Sequence, residues 1–108
     1  MISRGDLSIG QQAVQSTHAA IDFIFHHPDE AGAWHKTSNT LVSLIETNEK
    51  SLLSLSCDIK RTGVSVTEFR EPWMNDQVTA IAFVSNEETR KLTKNLPLAL
   101  KQTNLQTV

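Results

Sequence analysis

Residues that cross-link, stiffen or loosen a chain are scarce in this sequence. Among 108 residues there are one cysteine, three prolines, four glycines and no tyrosine. One cysteine permits no internal disulfide, and the few prolines and glycines argue against extensive disorder. Cys57 falls in a segment with helical periodicity, where we expect a buried, inert thiol.

Long apolar runs are absent too. The longest span only a few residues, far below the roughly 20 that are needed to cross a bilayer. The first residues also lack the basic and apolar regions of a secretory signal. We therefore expect a cytoplasmic protein without a membrane-spanning segment.

The charge balance lacks the basic excess that usually marks a nucleic-acid-binding domain. Ten Lys and Arg against 12 Asp and Glu give a net charge of −2. Short basic clusters occur at residues 60–61 and 90–94, but such clusters are typical of solvated helix faces. Any contact with RNA is expected to be local.

Length and periodicity together predict one α/β domain over residues 1–108. A chain of this size buries about two thirds of its unfolded surface, which is enough for one hydrophobic core. The order β-α-(α)-β-α-β-β-α implies a mixed four-stranded sheet with helices packed on its faces. The predicted elements are strands over 1–4, 40–47, 64–70 and 77–84, helices over about 9–27, 49–62 and 86–95, and a short helix or irregular turn over 29–39.

Capping signals set several of these boundaries. Ser8 with Gln11 forms a capping-box pattern before the first helix, and Ser85 with Glu88 forms another before the last. Asn48 is a suitable N-cap for the middle helix.

Two shorter segments complete the prediction. Residues 71–76, EPWMND, suit the turn of an antiparallel hairpin. The segment 40–47 has the branched residues of a largely buried strand. Residues 96–100 are expected to return to the core before a polar tail.

The first helix has two contrasting faces. Gln11, Gln15, His18 and Asp22 line its polar side, and Asp22, one turn from His18, is expected to orient the imidazole. The opposite side carries the apolar pattern of a helix packed on a sheet. Its residues are Ala13, Val14, Thr17, Ala20, Ile21 and Ile24.

A histidine-rich bend follows this helix. His26, His27, Asp29 and His35 match no recurring zinc ligand set, and adjacent histidines point to different sides. We therefore predict no metal here, and we expect Trp34 to anchor the core.

The stretch from Arg4 to Ala20 carries most of the available chemistry. A strand end, a glycine-containing turn and a helix N-terminus present free backbone N–H groups, which favour an anion or a developing oxyanion. Histidine is the side chain best suited to acid–base work near neutral pH, and Asp6 and Asp22 are candidates to fix the tautomer of His18. A solvent-facing or structural His18 is the alternative. Phosphate-loop, dinucleotide, zinc and nucleophile-elbow motifs are absent from the sequence.

Eight residues of this stretch follow one pattern: Arg4, Asp6, Leu7, Gly10, Ala13, Gln15, His18 and Ala19. They resemble the opening of the archaeal and eukaryotic type of peptidyl-tRNA hydrolase, which has a strand, an R/K-x-D-L turn and a G-K-x-A-A-Q-x-x-H-A helix. The order of elements, the QVTAIAF strand and the closing LPLAL are similar as well. The likeness covers nearly the whole chain, and the first motif is its specific part.

Two departures from the family pattern bear on activity. The family lysine after the motif glycine is Gln11 here, and the preceding turn is about two residues shorter. Where the family has an Asp and then a Thr in a longer loop, this chain has Glu71-Pro72-Trp73-Met74-Asn75. The combination is closer to the divergent peptidyl-tRNA hydrolase domain-containing branch, and the resemblance leaves open whether that branch is catalytic.

The resemblance implies hydrolysis of the ester between a peptide and the 3′ ribose of tRNA, with full or weakened activity, tRNA as partner and no cofactor. Some relatives are homodimers, so a dimer is an open expectation. A non-catalytic RNA-binding or protein-interaction module is the main alternative, and an orphan fold with a small-molecule cleft is a third. The predicted site has Glu71 or His18 to orient water with Asp6 beside them, the amides of Gly10 and Gln11 with the Gln15 side chain as oxyanion donors, and Arg4 as a phosphate contact.

Overall fold

The fold is a mixed four-stranded sheet with helices on both faces, as the sequence predicts. The computed structural model describes residues 1–101. The predicted polar tail therefore lies mostly outside the described residues. Within them the elements are β1 (Ile2–Arg4), α1 (Ile9–His26), α2 (Pro28–Lys36), β2 (Leu44–Glu46), α3 (Glu49–Arg61), β3 (Thr67–Glu71), a 3-10 turn (Pro72–Met74), β4 (Gln77–Ala82) and α4 (Glu87–Thr93).

The strands lie in the order β2-β1-β4-β3. β1 runs parallel to β2 and antiparallel to β4, and β3 pairs antiparallel with β4 as the predicted hairpin. The last apolar segment returns to the sheet beside β2, where Leu98 forms a bridge with Leu44. No helix within residues 1–101 combines the length and apolar character required to cross a membrane.

Two hydrophobic clusters cover the two faces of the sheet. On one face, Leu52 and Ile59 of α3 pack with Ile2, Val78 and Ile81 of the sheet, and all five are at most 1% exposed. The other cluster joins α1 and α2 to β4 and is built mainly of small residues: Ala19, Phe23, Ala31, Ala80 and Ala82. Small side chains allow α1 to approach the sheet closely.

The predicted sheet-facing side of α1 is wrong. The buried residues of the helix are Gln12, Gln15, Ser16, Ala19 and Phe23, whereas Val14, Ile21 and Ile24 are 54%, 46% and 49% exposed. The close contact with β4 selects small and hydrogen-bonding side chains, so apolarity does not mark the buried face. The helix start and its Ser8–Gln11 capping box are as predicted.

Strand β2 is shorter and less buried than predicted. It pairs only over Leu44–Glu46, because β1 offers three residues as partners. Leu41 and Val42 lie outside the sheet and are 68% and 50% exposed. β3 begins at Thr67 rather than Val64, and β4 ends at Ala82 rather than Val84.

Three side chains also differ from prediction. Cys57 is exposed, because the buried stripe of α3 passes through Leu52, Leu55, Ser56 and Ile59 and leaves position 57 facing solvent. Trp34 is partly buried outside both core clusters, and its Nε1 donates to the Thr40 carbonyl at 3.0 Å. The capping box of α4 is formed by Asn86 and Thr89 rather than by Ser85 and Glu88.

A β-bulge in β4 determines which side chains reach α1. Phe69 pairs with Ala80 but Arg70 pairs with Val78, so Thr79 is an extra residue in the ladder. Val78 packs in the cluster with α3, while Thr79 bonds to Gln15 of α1. Bulges commonly redirect a side chain in this way.

Candidate functional site

The turn after β1 is held by an ion pair between Arg4 and Asp6. The guanidinium donates to both carboxylate oxygens, at 3.0 and 2.9 Å, and its third bond goes to Gln77 Oε1 at 2.8 Å. Hydrogen bonding to Arg4 lowers the pKa of Asp6, and the same bond raises the pKa of Arg4. The Arg4 side chain is only 9% exposed, so the pair organises the turn that leads into α1.

Gly5 fits this turn because the chain passes close to β2. Its N–H donates to the Glu46 carbonyl at 2.6 Å. A Cβ at position 5 would lie 3.2 Å from that same oxygen and 3.2 Å from the Ile45 side chain. A larger residue would therefore push the turn away from the sheet.

The N-terminus of α1 is capped by its own side chains. Ser8 Oγ accepts from the Gln11 N–H at 3.2 Å, and Gln11 Oε1 accepts from the Ser8 N–H at 3.3 Å. Gln11 stands where the similar family has a lysine. Its backbone N–H and its side-chain oxygen are both used in the helix cap. The Gly10 N–H has no acceptor among residues 1–101, and a Cβ there would meet no atom within 4 Å. Two backbone N–H groups were predicted as oxyanion donors. That of Gly10 is therefore free among the described residues, and that of Gln11 is used by the cap.

The centre of the site is a series of three hydrogen-bonded side chains. Thr79 Oγ1 donates to Gln15 Oε1 at 2.7 Å, and Gln15 Nε2 donates to Glu71 Oε1 at 2.9 Å. Thr79 is fully buried and Gln15 is 6% exposed. Three separate elements, β4, α1 and β3, therefore fix the orientation of one carboxylate.

The second oxygen of Glu71, Oε2, is more weakly hydrogen-bonded. Its only contact among the described residues is the Trp73 N–H at 3.5 Å, a long and weak hydrogen bond. Trp73 itself is 93% exposed. Glu71 therefore presents an oriented oxygen, and the indole of the residue two positions later is exposed.

His18 lies next to this series but is not bonded to a carboxylate within residues 1–101. Its ring stacks on Phe69 with centroids 4.5 Å apart and planes 5° from parallel. The predicted pairing with Asp22 is absent from the described residues, and Asp6 is bonded to Arg4 instead. Phe69 precedes Glu71 by two positions on β3, so the two side chains share a face of the strand. Stacking, rather than an acid, orients His18.

The Arg4–Asp6 ion pair and the Thr79–Gln15–Glu71 series meet at one end of the sheet. Glu71 and Gln77 are paired residues at the β3–β4 hairpin, and Gln77 receives the bond from Arg4. The structure thus brings Arg4, Asp6, Gln15 and Glu71 to the same sheet end, with His18 farther along the sheet on Phe69, whereas Gln11 remains in the helix cap.

Thr79 and Gln77 also belong to this arrangement, although neither was predicted from the sequence. Both are polar residues in the apolar strand QVTAIAFV, and this contrast could have marked them as candidates. The bulge that turns Thr79 toward α1 has no comparable signal, because the strand reads as regular. A threonine hydroxyl is therefore near Glu71, although it comes from β4 rather than from the loop.

The side chains of the histidine-rich bend have separate partners in the structure. His35 Nδ1 lies 3.1 Å from Asn39 Oδ1, and His27 Nδ1 lies 3.9 Å from Glu30 Oε1. Among residues 1–101, no group of three or more His, Cys, Asp and Glu side chains is placed to hold a metal ion.

Comparison with known proteins adds no relative: no protein-family model and no curated protein matches this chain.

Proposed function

We propose that this protein is a peptidyl-tRNA hydrolase of the archaeal and eukaryotic type, and that it acts in the cytoplasm. The observation that carries the proposal is the Thr79–Gln15–Glu71 series beside His18. It supports the proposal because it orients one carboxylate at the sheet end that also holds the Arg4–Asp6 turn and the N-terminus of α1. Arg4, Asp6, Gly10, Gln15 and His18 belong to the pattern on which the family resemblance depends, whereas Glu71 and Thr79 do not.

In the proposed reaction, Glu71 acts as the general base. Its free oxygen takes a proton from a water molecule, and the water oxygen attacks the carbonyl carbon of the ester. The tetrahedral intermediate then collapses, its bond to the ribose oxygen breaks, and that oxygen receives the proton. The products are a peptide carboxylic acid, which releases its proton to water, and a tRNA with a free 3′ hydroxyl.

Donors for the oxyanion come from the helix start. The Gly10 N–H is open, and the positive end of the α1 dipole favours negative charge there. Gln15 is a positioning residue, because both ends of its amide are already bonded to Thr79 and Glu71. His18, fixed on Phe69, assists in orienting the water.

Trp73 is proposed to contact the nucleic acid. An indole that is 93% exposed has little reason to be there for stability, and bases stack readily on such side chains. Its backbone N–H bonds to Glu71 at 3.5 Å, so Trp73 belongs to the same turn as the catalytic carboxylate. The site thus contacts the end of the tRNA without a basic surface.

The test is release of an N-acetylated amino acid from tRNA. Replacing Glu71 by Gln keeps its shape but removes the base, so the rate should fall by about 10² or more. Glu88→Gln, the same exchange on an exposed residue of α4, should leave the rate unchanged. Wild-type release no faster than the spontaneous rate at micromolar protein would refute the hydrolase, and full activity of Glu71→Gln would refute the assigned base.

One observation favours the alternative, a non-catalytic tRNA-binding module. Gln11 leaves the site without the family lysine, and its side chain is used by the helix cap. Such a module would bind tRNA with an affinity that falls as salt rises, yet release no amino acid. Retention of tRNA on a filter, measured at two salt concentrations beside the release assay, separates the two functions.

We also propose that two copies associate through the outer face of α1. Val14, Ile21 and Ile24 are about half exposed there, and the stripe they form from residue 13 to 24 contains no charge apart from the flanking Asp22. Two such stripes packed about a twofold axis would cover each other.

A further inference from the structure

A second concave region lies at the other end of the sheet. It is a cavity of about 630 Å³, bounded by the start of β1, the last turns of α1 and the residues that follow β4. Because β1 and β4 are antiparallel, this end is opposite to Arg4 and Gln77. None of the residues assigned above to the candidate site lines it.

The walls of this cavity are largely apolar. Ile2, Phe23, Trp34, Leu41, Leu44 and Phe83 are among the lining residues. Several lining polar groups are already used: Trp34 Nε1 donates to Thr40 O at 3.0 Å, and the Thr37 and Thr93 hydroxyls donate to Ala33 O at 2.8 Å and Thr89 O at 3.0 Å. The interior therefore favours hydrocarbon.

Arg90 is the exception. Among the described lining residues it is the only one with a charged side chain, and its guanidinium has no ion-pair or hydrogen-bond partner within residues 1–101. No acidic side chain lines the cavity in that part of the chain. The Met1 ammonium also lines the cavity, but it donates to the Val42 carbonyl at 2.7 Å and burial lowers its pKa to about 6. Arg90 is therefore the cation that the described residues leave free for a ligand. A free cation beside apolar walls complements a ligand with one negative charge at the end of an apolar body.

We propose that this cavity binds an apolar monocarboxylate, with the carboxylate on Arg90 and the hydrocarbon against Phe23 and Trp34. The volume lies within the roughly 300–1,000 Å³ of typical small-molecule sites. The proposal does not depend on the hydrolase function, because the two sites share no residue.

Decanoate is the first probe, titrated into the full chain. The chain has two tryptophans, so a Trp73→Phe background leaves Trp34 in the cavity wall as the only reporter. We expect a saturable change in Trp34 fluorescence with decanoate and at least tenfold weaker binding of decanol and of decyltrimethylammonium. 1-Naphthaleneacetate, compared in parallel, distinguishes an aromatic from an aliphatic acid.

Arg90→Gln is the decisive variant, because Arg90 is exposed and its loss should not prevent folding. It should weaken decanoate binding by about tenfold or more and leave decanol binding unchanged, since only the acid has a charge-assisted bond to lose. Lys91→Gln is the matched control, because Lys91 is next in the same helix and does not line the cavity. Ala20→Leu, which adds volume to the wall, should reduce binding of both ligands.

Three results would overturn the proposal. One is the absence of saturable binding of either acid up to millimolar concentration. Another is equal decanoate affinity in Arg90→Gln and Lys91→Gln. The third is Trp34 shielding that increases with protein concentration in the absence of ligand and persists in the Ile21→Glu variant, because a second copy of the chain would then occupy the cavity rather than pack on the α1 stripe, whose Ile24 lines the cavity wall.

Discussion

Gln15 Nε2 lies 2.9 Å from Glu71 Oε1 and joins α1 to the end of β3. The other end of the same amide accepts a hydrogen bond from Thr79 at 2.7 Å. The carboxylate needs a donor and Gln15 Oε1 accepts the Thr79 hydroxyl, so the two neighbours together determine which way the amide points. The direction of the whole series is therefore set at its end by Glu71 Oε1, which accepts from Gln15 Nε2.

Thr79→Val and Gln15→Ala should therefore both act on kcat. Each breaks the orientation of Glu71, so each should lower kcat about tenfold with little change in KM, and the double variant should be no worse than the poorer single one. Each should also cost about 1–3 kcal/mol of stability, because a buried polar group loses its partner. Release kinetics and urea unfolding measure the two effects. Thr47→Val, on an exposed threonine, is the control, and additive losses in kcat would argue against a coupled series.

Gln11→Lys should increase hydrolysis. The change restores a cation where the family has one, and a single electrostatic donor in such a site is worth about 10² in rate. The cost is the Gln11 side-chain part of the capping box, about 0.5–1 kcal/mol of stability. Ser54→Lys, an exposed position on α3, adds the same charge elsewhere. A similar gain in both variants would mean that the added charge merely attracts tRNA.

Trp73→Ala should weaken tRNA binding without affecting the chemical step. A stacked base is worth about 1–3 kcal/mol, so KM should rise roughly 5- to 150-fold while kcat stays within a factor of two to three, and thermal stability should not fall because the indole is 93% exposed. Trp73→Phe, which keeps an aromatic face, should retain most of the affinity. A fall in kcat alone would place Trp73 with Glu71 rather than with the tRNA.

The order and type of the elements follow from local signals in the sequence. The capping box at Ser8, the N-cap at Asn48 and Gly63 at the end of α3, where φ is +96°, act over a few residues and are visible in the sequence. The hairpin is similar, since Asn75 and Asp76 adopt positive φ values of 55° and 58°, which these residue types tolerate. Local chemistry was therefore sufficient for most of the elements and their order along the chain, whereas the strand order β2-β1-β4-β3 was not predicted.

Which face of a helix is buried depends on packing that the sequence does not show. α1 has an apolar stripe, and hydrophobic periodicity places such a stripe on the sheet, yet Ala19 packs on the sheet and Ile21 is exposed. The candidate site was predicted in part for the same reason. Glu71 and Gln15 were expected to converge and do so, whereas Asp22 and His18 were expected to pair and are not bonded.

The outer face of α1 gives a direct test of association. Ile21→Glu places a charge in the middle of the stripe, so it should shift a dimer to monomer at micromolar concentration without loss of fold, because Ile21 is 46% exposed in the single chain. Sedimentation velocity measures the change. Ile21→Ser controls for lost apolar area without charge and should weaken the dimer less. A wild-type protein that is monomeric at 100 μM, about the upper range of such a measurement, would contradict the proposed dimer.

Acid should destabilise the fold partly through Glu68. Its Oε2 accepts from Ser56 at 2.6 Å and from Lys60 at 3.0 Å. Burial raises the pKa of Glu68, but these two hydrogen bonds and the positive charges of Lys60 and Arg70 together outweigh it and leave the pKa below its ordinary value. The native state therefore holds its proton less tightly than the unfolded state, whose glutamate pKa is about 4.3. The stabilisation is complete above that pH and is lost as the pH falls through the lower, native pKa.

Glu68→Gln removes this titration and should flatten the acid limb of the stability curve. Wild type should lose about 1 kcal/mol more than the variant between pH 6 and pH 3, a modest amount because the Lys60 end of the ion pair is 47% exposed and exposed pairs contribute about 0–1 kcal/mol. Urea unfolding at the two pH values measures the difference. Glu88→Gln, on the solvent side of α4, should keep the wild-type slope. Asp6, whose pKa is lowered by Arg4, still titrates in both proteins, so the variant retains some acid sensitivity. Equal slopes in wild type and Glu68→Gln would show that the Ser56 and Lys60 bonds contribute no net stability.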